Sequence, residues 1–152
     1  MAEMIQGIGK AANAEVGLGG PIGYGKTWVK KITNKGKHVV HFVNPYMEIE
    51  GDVEPGKTQD DKDVHGYIPY WSNPEKYKIH YKNETLEKEV VVVLKDLGDR
   101  LMSFSQHGTE LITEIASKNT ETYFPVEIIV KDIGFEIYDL TNNIRKGGLF
   151  FW

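Results

Sequence analysis

Gly20-Pro21-Ile22-Gly23-Tyr24-Gly25-Lys26-Thr27 matches the phosphate-loop pattern G-x-x-x-x-G-K-[ST] letter for letter. In that motif backbone N–H groups wrap the phosphates, the lysine reaches them and the hydroxyl holds magnesium. The chemistry requires a buried strand before the loop and a helix after it, whose N-terminus completes the site. Here Ala11-Ala12-Asn13-Ala14-Glu15 precedes the loop. The β-favouring Trp28-Val29-Lys30-Lys31-Ile32-Thr33 follows and stops at Asn34-Lys35-Gly36. Both flanks therefore favour a glycine-rich connector running into a strand, and a P-loop nucleotide-binding protein stands only as an alternative.

Other reactive groupings are weaker. Glu48-Ile49-Glu50 sets two carboxylates on one strand face, the pairing that glycoside cleavage uses, but Val53 stands where a third acid would fall. A solvated strand face accounts for them. Asp60-Asp61-Lys62-Asp63-Val64-His65 is acidic without the spacing of a calcium loop. His38 and His41 fall on opposite faces of a strand and cannot chelate together. Ser105 and His107 share a face but have no orienting acid nearby. Asn83-Glu84-Thr85 is a glycosylation sequon, meaningful only on a secretory route. The absence of cysteine excludes disulfide scaffolds, thiolate zinc sites and cysteine nucleophiles. No catalytic residue, metal or cofactor is expected.

Two features favour binding. Lys26, Lys30, Lys31, Lys35 and Lys37 run without an acid among them, whereas 48–63 carries seven acids against Lys57 and Lys62. A basic segment following an amphipathic start is the layout of an anionic-membrane contact; a surface strand made soluble by lysines, which also guard sheet edges, is the alternative. The second feature is Tyr67-Ile68-Pro69-Tyr70-Trp71-Ser72-Asn73-Pro74, with Tyr77 beyond. Its prolines confine it to a loop or edge. Tyr67, Tyr70, Trp71 and Tyr77 offer flat apolar faces with polar tips, suited to sugars, head groups or protein partners.

The elements that position these residues follow from periodicity. In residues 1–25, Met1, Met4, Ile5, Ile8, Ala12 and Val16 recur at helical spacing, but seven of the 16 glycines also lie there. Such a helix is weak alone and needs a surface to lie on. From Thr27 the period becomes two. Tyr77, Ile79 and Tyr81 alternate with lysines and His80; Phe124, Val126, Ile128 and Val130 form another row. Met47 and Ile49 alternate with Glu48 and Glu50. His38–Val43 and Val90–Leu94 read as strands buried on both faces. Leu111–Ala116 is open to strand or short helix. Turn signals, among them Glu54-Pro55-Gly56-Lys57, Lys118-Asn119 and Asp132-Ile133-Gly134, recur every 8 to 15 residues or so. The apolar terminus Leu149-Phe150-Phe151-Trp152 should close the sheet or meet a partner.

At 152 residues, 40% hydrophobic and 26% charged, the chain can form one ordinary globular core. Its net charge of −4 argues against nucleic acid, and no apolar run approaches the roughly 18 residues of a membrane span. The N-terminus lacks the pattern of a classical signal peptide, pointing to cytoplasmic synthesis or a non-classical route.

The expected fold is an all-β antiparallel sandwich of about nine strands at 27–152, behind an amphipathic, Gly-rich segment at 1–26. In outline (an Asn-rich early strand, a Pro-Gly turn, then an aromatic loop) it resembles small β-sandwich cytolysins and insecticidal proteins. That resemblance is one of layout and transfers no site residue.

The expected function is non-enzymatic binding to a membrane lipid or glycan surface, as a component of a pore-forming or insecticidal toxin. Tyr67, Tyr70, Trp71 and Tyr77 would contact ligand; Met4, Ile5, Ile8, Val16, Lys30 and Lys31 would contact membrane. The alternative is a structural protein that self-assembles as a homo-oligomer or with another protein.

Overall fold

The computed structural model describes residues 26–60, 66–98, 101–106, 109–114 and 123–151. Twelve strands lie among them. The first half supplies β1 (Lys26–Asn34), β2 (Val40–Asn44), β3 (Ile49–Val53), β4 (Thr58–Gln59), β5 (Gly66–Tyr67) and β6 (Tyr77–Asn83). The second half supplies β7 (Lys88–Gly98), β8 (Leu101–Gln106), β9 (Thr109–Glu114), β10 (Tyr123–Lys131), β11 (Gly134–Asp139) and β12 (Ile144–Phe150). The excess over nine comes partly from the two-residue strands β4 and β5, and partly from β9, where a short helix had been open.

The strands form two sheets. One runs β12-β11-β10-β1-β4, with β5 also on β1; the other runs β3-β2-β6-β7-β8-β9. Neighbours are antiparallel except β1 and β10, which are parallel from Lys26↔Tyr123 to Asn34↔Val130. A parallel pair cannot be joined by a tight turn, and here the two strands are separated by most of the chain.

The inward rows of both sheets make one core. Val29, Ile32, Phe124, Val126, Ile128, Val130, Phe135 and Ile137 face Val40, Phe42, Tyr77, Ile79, Tyr81, Val90, Val92, Leu94 and Phe104. Phe104 and Phe135 meet edge to face across the sheets, centroids 5.0 Å apart. The alternations read in β6 and β10 hold. The two runs expected to be buried on both faces do not: β2 and the middle of β7 alternate buried with half-buried, leaving Val91 and Val93 on the open face. His38 and Val39 precede β2 as loop.

Short polar side chains fasten the sheets along their margins. Asn34, fully buried, donates to Val53 O (2.9 Å) and His38 O (2.7 Å) and accepts from Gly36 N (2.9 Å). Asn44 donates to Tyr67 O at 2.9 Å, Thr113 to Lys146 O at 2.7 Å and Gln106 to Phe151 O at 2.9 Å. The bonds to Val53 O, Tyr67 O, Lys146 O and Phe151 O each join one sheet to the margin of the other and satisfy a carbonyl that closure would otherwise strand, worth about 1 kcal/mol apiece. Those to His38 O and Gly36 N fix the loop after β1.

Two sequence motifs resolve differently from their patterns. β1 occupies the position where a phosphate loop needs a helix, and Thr27 is buried with its N–H on Asp96 Oδ2 at 3.1 Å. Glu48 does not share a strand face with Glu50. It caps a 3₁₀ turn at Pro45–Met47 with φ 56°, and β3 begins only at Ile49.

Candidate functional site

The sandwich has two contrasting ends. At the first, β1 and β10 begin and β7 finishes. Tyr67 lies opposite Trp28 on β1, and their rings meet edge to face at 4.5 Å. The following loop is tied down by main-chain bonds from Ile68 N to Thr27 O, Asp96 N to Pro69 O and Trp71 N to Asp96 O. Asp96, itself buried, also accepts from Gly98 N at 2.7 Å. Lys76 donates its ammonium to Trp71 O at 2.8 Å and also to Asn73 O. Burial and the charge of Lys95 hold that ammonium below its usual range.

This end brings Tyr67, Tyr70 and Trp71 together and excludes Tyr77. Trp71 is 36% exposed and its ring lies 5.9 Å from Tyr70, tilted by 45°. Tyr67 and Tyr70 are half-buried, and the Tyr70 hydroxyl has no hydrogen-bond partner. Tyr77 was expected to face a ligand, but its place in the inward row of β6 buries it completely. Burial drives its phenol far above the ordinary range, so it stays neutral.

The expected membrane contacts divide likewise. Met4, Ile5, Ile8 and Val16 lie outside the described residues, as do 61–65 of the acidic loop, His107 and Trp152. Lys30 and Lys31 are on β1, where a β-bulge between Val29 and Lys31 turns both consecutive lysines outward.

Of the opposite end the sequence singled out only the apolar terminus that includes Phe150. Four of the large apolar side chains that the described residues expose stand there: Val39 (40%), Leu86 (48%), Ile133 (58%) and Phe150 (69%). Leu86 is at the tip of the β6–β7 hairpin, where Asn83 Oδ1 accepts from Leu86 N at 3.0 Å and Glu87 takes a left-handed φ of 53°. Asn83 is therefore a buried turn residue, and its sequon is poorly placed to carry a glycan. Ile133 tips the β10–β11 hairpin, and Phe150 pairs with Gly134 beside it.

Between the tips lies an open pocket of about 290 Å³, lined by Lys37, His38, Asn83, Thr85, Leu86, Asp132 and Ile133. Its base is a hydrogen-bonded knot. Tyr81 donates its hydroxyl to Asp132 and accepts from Lys37 N (3.1 Å) and His38 N (3.3 Å). Asp132 also accepts from Lys37 N at 2.9 Å. The Tyr81 bond holds the Asp132 carboxyl below its usual range, overcoming the opposing effect of burial. Burial and then Asp132 push the Tyr81 phenol up to about 12.

A third grouping lies on the open face of the second sheet. His41 contacts Glu50 through Nε2 at 3.0 Å and Asp52 through Nδ1 at 2.8 Å, and its ring is 5.8 Å from His80. The strand carboxylate pair is thus Glu50 with Asp52, already engaged by an imidazole. Among the described residues no group of three or more His, Asp or Glu is arranged to hold a metal ion.

A scan of the chain against protein-family models finds no matching family, and a search of curated proteins finds no match.

Proposed function

We propose that this chain is a non-enzymatic binding module that docks on a lipid surface with the end carrying Leu86, Ile133 and Phe150. The observation behind the reading is the gathering of these exposed side chains at one end, with Leu86 and Ile133 on separate turns that line a pocket with Lys37 and His38, and Phe150 at the end of β12 beside Gly134. Exposed aliphatic tips have no packing role, whereas inserted into a bilayer interface they leave water. Scaling about 2 kcal/mol per buried side chain by the 48%, 58% and 69% exposures gives roughly 3.5 kcal/mol, a partition of a few hundredfold. That is marginal alone. Lys35 and Lys37 add about 1 kcal/mol each near anionic lipid, opposed by Glu84 and Glu87 in the neighbouring turn. A pore-forming role would add segment 1–25, with Met4, Ile5, Ile8 and Val16, to a sandwich already docked.

Sedimentation with phosphatidylcholine vesicles tests the reading. Leu86→Asn with Ile133→Asn should weaken partition roughly thirtyfold. Wild-type protein that stays in the supernatant, or a double variant that binds equally, overturns it.

A second reading rests on the aromatic end. Trp71 is exposed on a loop held rigid by Asp96 and Lys76, which suits stacking on a sugar ring. Loss of glycan-array signal in Trp71→Ala would favour it.

A further inference from the structure

We infer that the pocket between the Leu86 and Ile133 tips is a receptor for a phosphate ester group, recognised by Lys37, His38, Asn83 and Thr85. The inference rests on the docking reading for the lipid source of that group, but the pocket chemistry stands apart from it.

The polar lining is unequally committed. Asp132 is the only acid in the lining, and Tyr81 and the Lys37 main chain already bind it, so its charge holds the loop in place. Those bonds use the backbone of Lys37 and His38; the His38 ring also lies edge-on to Tyr81 at 5.9 Å, and the charges of both side chains help hold the Asp132 carboxyl down, so a ligand shares these donors with Asp132. Asn83 spends its carbonyl oxygen on Leu86 N, which leaves its amide NH₂. Thr85 adds a hydroxyl. An ammonium, an imidazole, an amide and a hydroxyl are donors, and a group with several acceptor oxygens and negative charge complements them.

Size limits the ligand. At about 290 Å³ the space is just below the roughly 300–1,000 Å³ of drug-sized sites. It has room for a phosphate with a short polyol. The lips are aliphatic, so a phosphate at a bilayer surface reaches the pocket in the orientation that also sinks Leu86 and Ile133.

Two arms test this. In solution, sn-glycerol 3-phosphate is titrated against the protein and amide NMR shifts are followed. On membranes, binding to phosphatidylcholine vesicles is compared with and without phosphatidic acid. The variant is Lys37→Ala with Thr85→Val, which keeps the Lys37 N–H that Tyr81 and Asp132 accept.

Saturable shifts at Lys37, His38 and Thr85 are expected. So is a preference for phosphatidic acid that the variant reduces by more than the roughly fivefold that loss of one lysine costs at any anionic membrane. Saturation by the soluble ester without vesicle binding supports the pocket and sinks the docking reading. No saturable shift, together with a lipid preference that survives the double substitution, overturns the inference.

Discussion

Replacing Asn34 with alanine should remove a buried polar fastening that ties β1 to β3 and fixes the loop after β1. The side chain is fully buried and makes three hydrogen bonds, to Val53 O, His38 O and Gly36 N, at 2.9, 2.7 and 2.9 Å. Each net bond is worth about 1 kcal/mol, and a buried carbonyl left without a donor costs about another 1 kcal/mol or more. The expected loss is therefore about 4 kcal/mol, a large part of the roughly 5–15 kcal/mol that holds a domain folded. The melting temperature should fall by roughly 10 °C. Urea unfolding followed by far-UV circular dichroism should show a lower midpoint with an unchanged slope. Asn34→Asp is a sharper arm: it retains an acceptor for Gly36 N but turns a second carboxylate oxygen towards two carbonyl oxygens. At neutral pH it should be no more stable than the alanine variant. A loss below about 1 kcal/mol for Asn34→Ala would mean that water or main-chain shifts replace these bonds, and the margin-fastening argument would fail.

Three other outcomes follow from particular contacts. Gly134→Ala would place a Cβ 2.0 Å from Leu149 O and 3.1 Å from Phe150 Cα, all rigid backbone, so β11 and β12 must part; a loss of roughly 2–3 kcal/mol is expected in the urea midpoint. Tyr81→Phe removes the acceptor for Lys37 N and His38 N, and the Asp132 carboxyl should titrate closer to its ordinary value by NMR, with about 2 kcal/mol lost; an unmoved titration would refute the assigned cause. Burial first, then the charges of His41 and Lys78, hold the His80 ring below its ordinary 6.5 despite the pull of Glu89. The unfolded chain then takes up that proton first, so stability should decline as pH falls below about 6.5, and His80→Gln should flatten the decline measured by pH-dependent melting.

The fold was largely legible because its core obeys a two-residue period. Tyr77, Ile79 and Tyr81, and likewise Phe124 to Val130, read correctly as inward rows, since a strand buried on one face must alternate. The same rule explains the error at Tyr77. Grouped with the aromatic loop, it looked available, yet it belongs to the inward row of β6, and membership of that row decides its burial. Val90–Leu94 misled for the opposite reason: an unbroken β-branched run was read as two buried faces, whereas Val91 and Val93 are only half-buried. Glu48 misled because alternation was read from Met47 onward, whereas Met47 ends a 3₁₀ turn and Glu48 caps it.

The aliphatic end could not be read this way, because no local pattern contains it. Ile133 sits inside a turn signal and Leu86 follows a sequon, so each looks like a stray apolar residue in a loop. What joins them is register. The β2–β6 pairing sets His41 against His80 and so carries the loop before β2 towards Asn83. The parallel β1–β10 pair sets Asn34 against Val130, and Lys35 N bonds Val130 O, so the chain leaves both strands on the same side. Lys37 and His38 therefore emerge beside Asp132, nearly a hundred residues later, and the Lys37 N–H closes on that carboxylate. An antiparallel β1–β10 pair would send the turn after β10 to the opposite end of the sandwich, and the pocket would have no second lip. The candidate site thus follows from the one pairing in the sheets that is not antiparallel, the feature that alternation of side chains does not encode.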